Sequence, residues 1–312
     1  MAYGNAAHAY ETLGRLDEAK AILNAALAHH TGGFEVHEYL ATLAWRQGDT
    51  AEQARQTALA SAAPQGRLDM LGDEAEIAAA YGQLTRARSL GAQALVLAQQ
   101  LGEGKTIAVN NEELEGLAAA LFGQSALARQ AAAALAASTR PMALAYAAEI
   151  DARIGDTTAA STLMSKTVHQ MPGSVWMRYV YPSIISAIGA IRAGHDAQAV
   201  AAMVAAAPYD GAVADSLYQR GAAYLAAGNG AAAAPAFQHL LQLRGVSFNA
   251  VGIGGAEFMP LAQLGLARAY ALQRQTAPAR TAYQDFFASW QNADPNLPVL
   301  QQARSEYARL PR

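Results

Sequence analysis

Cysteine is absent from the sequence, which excludes disulfides, thiol catalysis and cysteine-ligated metal sites. Aromatic residues account for only 7% of the 312 residues, and much of the 53% hydrophobic content is alanine. No apolar run reaches the roughly 20 residues that a membrane-spanning helix needs. Lysine and arginine are interspersed with acidic residues at a net charge of −3, whereas a nucleic-acid surface needs them clustered. We therefore expect no membrane span in this chain and no nucleic acid as its partner.

The chain does contain regularly spaced glycines at the ends of helical patterns. The first three, Gly14, Gly48 and Gly82, lie 34 residues apart. Later patterns end at Gly123, Gly155, Gly194 and Gly228, and Arg274 takes the glycine position of an eighth. Five residues after these positions stand Ala19, Ala87, Ala128, Ala160, Ala199, Ala233 and Ala279, with Gln53 as the only exception. A fixed period with small residues in phase indicates stacked helical hairpins.

We therefore predict an all-α fold, a right-handed α-solenoid of about eight hairpins followed by a C-terminal capping helix. The predicted units cover about 1–34, 35–67, 68–107, 108–140, 141–173, 174–213, 214–258 and 259–292, and the capping helix covers 297–310. Three units have extra residues, near Gly102–Asn111, Met171–Pro182 and Arg244–Phe258. We expect these insertions to project from one edge of the solenoid, where partners often bind.

The repeats resemble the tetratricopeptide repeat, whose 34 residues carry a small–aromatic–glycine–alanine–aromatic–alanine pattern. The seventh unit has Tyr224, Gly228, Ala233 and Phe237 in these positions, and the eighth has Tyr270, Ala279, Tyr283 and Phe286. Other positions depart from the pattern, as at Asp151, Gly91 and Ala132. The resemblance implies a scaffold that binds a protein or peptide.

A second resemblance is strongest from about Pro208 to Leu310, through the runs LYQRGAAYLAAGNG and LGLARAYALQRQTAPARTAYQDFF. This region is similar to the C-terminal repeats of certain bacterial serine/threonine kinases, and to repeats that follow winged-helix transcription regulators. The resemblance implies a regulatory or sensory region of a signalling protein, separated here from its output domain. The chain starts directly in a helical pattern, so we expect no signal peptide. Its expected location is the cytoplasm, or outside it if a membrane span precedes this region in the parent protein.

Motifs that could support chemistry are incomplete. Gly104-Lys105-Thr106 resembles the end of a phosphate-binding loop, but it lacks the preceding glycine and strand. The glycines of Gly245–Gly255 also lack a preceding strand, which favours a long turn. His37-Glu38 lacks the second histidine of a zinc-protease motif. Two acidic pairs, Asp73-Glu74 and Glu112-Glu113, are expected at helix starts, where they would compensate the helix dipole. We predict no catalytic, cofactor-binding or metal-binding residues and no cofactor.

The candidate peptide groove is the face formed by the first helix of each hairpin, which is rich in residue types common at binding hot spots. It comprises Glu38, Trp45, Arg46, Glu149, Arg153, Tyr181, Arg192, Tyr218 and Arg268. The part from Tyr181 to Arg268 is expected to bind best, and an extended segment with carboxylates would suit its arginines. Two alternatives stay open for single residues: Trp45 could fill the core, and Glu149 and Arg153 could be a solvated pair.

We therefore predict a non-catalytic protein-interaction scaffold. The alternative is a receptor for a peptide or small ligand, or an enzyme, that uses a pocket in the superhelix.

Overall fold

A computed structural model of the chain describes residues 2–212, 214–242 and 255–311, which contain seventeen α-helices and no β-strand. The helices are α1 (Ala2–Thr12), α2 (Leu16–Ala28), α3 (Phe34–Gln47), α4 (Thr50–Ala60), α5 (Pro64–Ala80), α6 (Leu84–Leu101), α7 (Gly104–Phe122), α8 (Ser125–Ala136), α9 (Pro141–Ile154), α10 (Thr157–Gln170), α11 (Tyr181–Arg192), α12 (Asp196–Ala202), α13 (Ala214–Ala226), α14 (Gly230–Gln242), α15 (Phe258–Leu272), α16 (Thr276–Ser289) and α17 (Pro298–Ala308). A π-helical turn (Trp176–Val180) leads into α11, and a 3₁₀ turn (Ala207–Ala212) precedes α13.

The helices pack in consecutive pairs, from α1 with α2 to α15 with α16, and α17 follows the eighth pair. This arrangement confirms the predicted all-helical solenoid of hairpins with a final helix. The predicted loop Gly245–Gly255 and the insertion Arg244–Phe258 lie outside the described residues, except for their last few positions. No described helix is both long enough and apolar enough to cross a bilayer.

The regularly spaced glycines end helices, and the alanines that follow them are buried between helices, as the sequence indicates. All seven glycines that mark the repeats have left-handed φ angles, and Arg274 in the eighth position has a φ of 58°. At the second of these turns the amide of Asp49, just after Gly48, donates to the carbonyl of Ala44 at 2.9 Å, which satisfies a carbonyl at the end of α3. The seven alanines that follow are at most 3% exposed. A larger side chain there would separate the two helices of a hairpin.

Two predicted insertions are helical rather than projecting loops. The extra residues at Gly102–Asn111 lengthen the third and fourth hairpins, where α6 has 18 residues and α7 has 19. Those at Met171–Pro182 form a short turn and then the π-helical turn that extends α11. The prediction was wrong because a longer helix absorbs additional residues as readily as a loop does.

The acidic pairs were also misplaced, since Asp73-Glu74 lies inside α5 and Glu112-Glu113 lies inside α7. Helix-dipole compensation cannot explain carboxylates in a helix interior, because the dipole effect is confined to the first and last turns.

The solenoid closes on itself, a feature that the sequence did not indicate. We call the contacts of residues 290–298 with α5, α6 and α7 the closure. The indole nitrogen of Trp290 donates to the carbonyl of Ala80 at 3.0 Å, across 210 residues of sequence. The Trp290 ring meets Phe122 edge-to-face at 4.8 Å, and it is 1% exposed. The eighth unit is thereby joined to the third and fourth.

Polar contacts complete the closure. The backbone amide of Asp294 donates to the Gly82 carbonyl at 2.9 Å. One carboxylate oxygen of Asp294 accepts from both the backbone amide and the hydroxyl of Thr85, each at 2.9 Å. Asp294 therefore caps the first turn of α6 from the other end of the chain. Helix α17, which follows the closure, packs on both α16 and α7.

Candidate functional site

Three of the four arginines predicted to line a groove, Arg46, Arg153 and Arg268, bind carboxylates of the chain itself. A guanidinium nitrogen of Arg46 lies 2.8 Å from a carboxylate oxygen of Glu11, and neither side chain is more than 1% exposed. The Arg268 guanidinium makes two hydrogen bonds to Glu306 of α17, at 2.9 and 3.1 Å. Glu306 also accepts from the hydroxyl of Tyr283 at 2.9 Å. These two arginines therefore stabilise the fold.

Glu149 and Arg153 belong to a buried cluster rather than a solvated pair. The Arg153 guanidinium donates to Glu149 at 2.7 Å and to Asp215 of α13 at 2.8 Å, and all three side chains are at most 8% exposed. Burial and the neighbouring Glu149 raise the pKa of Asp215 well above its usual value. Glu257, which is fully buried, has its pKa raised by burial to about 7. The cluster has three carboxyl groups, of Glu149, Asp215 and Glu257, but its one cation is Arg153. Burial without a matching cation favours the protonated form of a carboxyl group.

The two tyrosines of the candidate peptide groove, Tyr181 and Tyr218, also pack against side chains of the chain itself. Tyr181 is 6% exposed and meets Tyr146 edge-to-face at 6.3 Å, and burial raises the pKa of its phenol. Tyr218 lies between Phe237 and Phe258, with ring centroids 6.0 and 5.2 Å away. The recurrence of these residues on first helices therefore reflects packing between hairpins.

The remaining predicted residues are more accessible: Glu38 and Trp45 lie two turns apart on α3, and Arg192 lies at the end of α11. Arg192 is exposed and donates to the Arg153 carbonyl at 3.0 Å, which satisfies a carbonyl at the end of α9. Glu38 is half-buried, and burial together with Asp73 and Asp69 raises its pKa to about 8. Trp45 is half-buried and meets Tyr81 edge-to-face at 6.4 Å.

Trp45 and Tyr81 border a small cavity near the closure, together with Ala80, Met259 and Gln263. Its volume is about 100 Å³. Ligand pockets usually have volumes of roughly 300–1,000 Å³. The cavity is thus too small for a ligand of ordinary size, which disfavours a receptor site at this point.

A larger open space is a groove between α10 and α11, which the sequence analysis missed. We call it the α10–α11 groove; its volume is about 610 Å³. Its lining consists of small, hydroxyl and aliphatic residues and one histidine: Ala152, Thr157, Ala160, Ser161, Met164, Ser165, Val168, His169, Pro182, Ile185, Ser186 and Gly189. Helices α10 and α11 barely touch, whereas α8 packs closely on α9 and α14 on α15. The sequence carries no distinctive signal for this groove, because the closely packed helix α15 also has a small residue, Ala269, at the position of Gly189.

An aromatic edge adjoins the start of α11 and consists of Trp176, Tyr179 and Tyr209. The Tyr179 and Tyr209 rings stack at 6.2 Å, and Trp176 meets Tyr209 edge-to-face at 6.0 Å. The Arg178 guanidinium lies 5.4 Å from the centre of the Tyr179 ring. Tyr179 is 37% exposed despite these contacts. Trp176 and Tyr179 lie on the π-helical turn, a conformation that is frequent at functional sites, and Tyr209 lies on the 3₁₀ turn before α13.

The chemical motifs have structural roles in the described residues. Gly104-Lys105-Thr106 forms the first turn of α7 and follows a helix, not the strand that a phosphate-binding loop requires. The His37 imidazole shares a hydrogen bond of 2.7 Å with the Gln56 amide. No group of three or more potential metal ligands occurs among residues 2–212, 214–242 and 255–311.

Comparisons with known proteins show little similarity in sequence. No protein-family model matches the chain, and no curated protein matches it. Among solved structures, the chain is similar to the crystal structure of the P58(IPK) TPR domain, with 13% sequence identity. The alignment covers 98% of this chain and 96% of that one, with a TM-score of 0.31.

Proposed function

We propose that this chain is a non-catalytic scaffold that binds a protein partner at the α10–α11 groove and the adjoining aromatic edge. The observation that carries the proposal is the groove itself, an open space of about 610 Å³ with an apolar floor between two helices. Met164 and Ala160 form part of this floor and are buried, while Ser161, Ser165 and Ser186 on the rim are exposed. Hydrophobic centres with polar rims are typical of protein interfaces.

An enzymatic role is less well supported by the same groove. A serine nucleophile needs a base within hydrogen-bond reach. His169 is the groove's one imidazole, and no hydrogen bond joins it to the lining serines Ser161, Ser165 and Ser186 in the described residues; the Ser161 hydroxyl instead donates to the Thr158 carbonyl at 3.0 Å. The signalling context is proposed on the resemblance to the repeat regions of bacterial kinases and winged-helix regulators. In that context the scaffold would recruit a regulator or a substrate to the output domain.

A photo-crosslinking experiment tests this proposal. A photoreactive amino acid replaces Ser186 in the groove or, as the control, Gln130 on the exposed face of α8, and the host cells are irradiated. We expect a discrete protein adduct from position 186 and none from position 130. Ser165→Trp should abolish the adduct because the indole fills the groove, whereas Ser89→Trp on exposed α6 should preserve it. An adduct that survives Ser165→Trp, or no adduct from position 186, contradicts the proposal.

A further inference from the structure

We infer that the packing of α15 on α13 and on side chains of α9 is a pH-sensitive switch, closed while the Glu257 carboxyl carries a proton and loosened when it ionises. We call this contact the α15 joint. The switch is independent of the α10–α11 groove and concerns the inner face of the chain.

Glu257 is enclosed where three units meet. It immediately precedes α15 and is 0% exposed. The next residue, Phe258, is equally buried, and its ring centroid lies 5.2 Å from that of Tyr218 on α13. The Arg153 guanidinium of α9 lies 5.8 Å from the centre of the Phe258 ring. The joint therefore connects the fifth, seventh and eighth units through apolar packing around one carboxyl group.

The Glu257 carboxyl lacks the partners that would stabilise a negative charge. Among the described residues, no other residue donates a hydrogen bond to either of its oxygens, and its side chain does not cap α15. An ionised carboxylate is costly to bury without donors or a cation. Burial therefore raises the pKa of Glu257 to about 7, although its own backbone amide favours the ionised form.

The charges at the joint add to this cost. Glu149 of α9 raises the pKa of Glu257 further. Arg153, the cation of the cluster, already donates to Glu149 and to Asp215 of α13. The other titratable groups that face the cluster are phenols with pKa values raised chiefly by burial: Tyr146 of α9, Tyr181 of α11 and Tyr218 of α13.

Neighbouring helices do not supply the missing cation. Arg46 of α3, which borders the small cavity beside Ala256, is paired with Glu11. The titratable groups nearest the joint on helices packed against α15 either have partners or are exposed: Glu76 of α5, His239 of α14, and Arg280, Tyr283 and Asp285 of α16.

Ionisation therefore favours a loosened joint, in which Glu257 reaches water. The loosened state returns Glu257 to its ordinary pKa of about 4.3, whereas the closed state holds its pKa at about 7. The proton thus stabilises the closed state fully below about pH 4, and this stabilisation is lost as pH rises through 7. Loosening also uncovers Tyr218, a residue of the candidate peptide groove.

A single introduced thiol tests the switch, because the chain has no cysteine of its own. Ala262 lies on α15 one turn after Phe258 and is 0% exposed, so a maleimide labels Ala262→Cys only when the joint loosens. The labelling rate is divided by that of Ala262→Cys combined with Glu257→Gln, which cannot ionise at position 257. This ratio removes the pH dependence of the thiol itself. We expect it to rise about tenfold per pH unit from pH 5 and to level off near pH 7.

Two further variants serve as controls. Glu257→Met, which also cannot ionise, should give the same labelling profile as Glu257→Gln. Ala26→Cys, at a fully buried position on α2 of the first unit, reports unfolding of the whole chain, and there the ratio should stay flat. Circular dichroism at pH 5 checks that all variants fold. A flat ratio at Ala262→Cys overturns the inference. An equal rise at Ala26→Cys overturns it too, because Glu257 would then act on the whole fold and not on the joint.

Discussion

Replacing Gly82 by alanine tests whether the chain closes on itself. Gly82 follows α5 with a φ of +71°, and a Cβ added there would lie 2.8 Å from the Cβ of Ala293 and 3.1 Å from Cε3 of Trp290. Trp290 cannot move aside easily, because its indole donates to Ala80 and its ring packs on Phe122. Gly48 is the matched control, since its φ is +75° and an added Cβ would meet no atom within 4 Å.

The two substitutions separate backbone strain from the closure. Both place an alanine in the left-handed region, which costs about 1–2 kcal/mol. Only Gly82→Ala also overpacks a filled site, which costs about a further 1–3 kcal/mol. We therefore expect Gly82→Ala to lower the free energy of unfolding by about 1–3 kcal/mol more than Gly48→Ala does.

Urea unfolding, followed by far-ultraviolet circular dichroism, measures this difference, and small-angle X-ray scattering reports whether the particle opens. If Gly82→Ala and Gly48→Ala lower stability equally and the scattering profiles coincide, residues 290–298 do not pack on α5 in solution and the closure is wrong.

Three further predictions concern the stability of the fold. Arg153→Met should lower the free energy of unfolding, measured in urea, by about 3–5 kcal/mol, because it leaves buried carboxyl groups without a cation. Adding Glu149→Gln and Asp215→Asn should recover much of this loss. No recovery would contradict the buried cluster. Asp294→Ala should cost about 0.5–2 kcal/mol in thermal or urea unfolding because it uncaps α6, whereas Asp285→Ala, on α16, should cost little. Burial raises the pKa of Glu38 to about 8 and that of Asp73 to about 7, so these carboxyls bind protons in the folded chain that the unfolded chain releases. Their stabilising effect is complete below the unfolded pKa values, which lie near 4, and it is lost as pH rises toward 8. Urea unfolding across this range should show the decline, and Glu38→Gln with Asp73→Asn should reduce it.

The repeat architecture was predictable because its determinants are local. A glycine that ends a helix and an alanine five residues later constrain only their own hairpin. The roles of Gly48 and Ala87 in the structure can therefore be predicted from the local sequence. The closure was not predictable in this way. It joins Trp290 to Ala80 across 210 residues, and the sequence near Trp290 reads only as a turn before a helix.

The role of the residues in the candidate peptide groove was only partly predictable, because it too depends on contacts between distant parts of the chain. The sequence correctly indicated that tyrosines and arginines recur on first helices, but it could not show which carboxylates would face them. Asp215 meets Arg153 from α13, and Glu306 meets Arg268 from α17. An arginine is available to a partner only if no such carboxylate reaches it first, and this depends on packing between units.

The closure changes how such a scaffold can use its surfaces. In an open solenoid each repeat contacts only its neighbours, and the long inner face is free for a partner. Here the inner arginines are neutralised by the chain's own carboxylates, and the last unit is held against the third and fourth. Converting that face into a binding site would require separating buried ion pairs, which leaves uncompensated charges at a cost of several kcal/mol. The α10–α11 groove requires no such separation, because its lining is already open, and binding there leaves the closure intact.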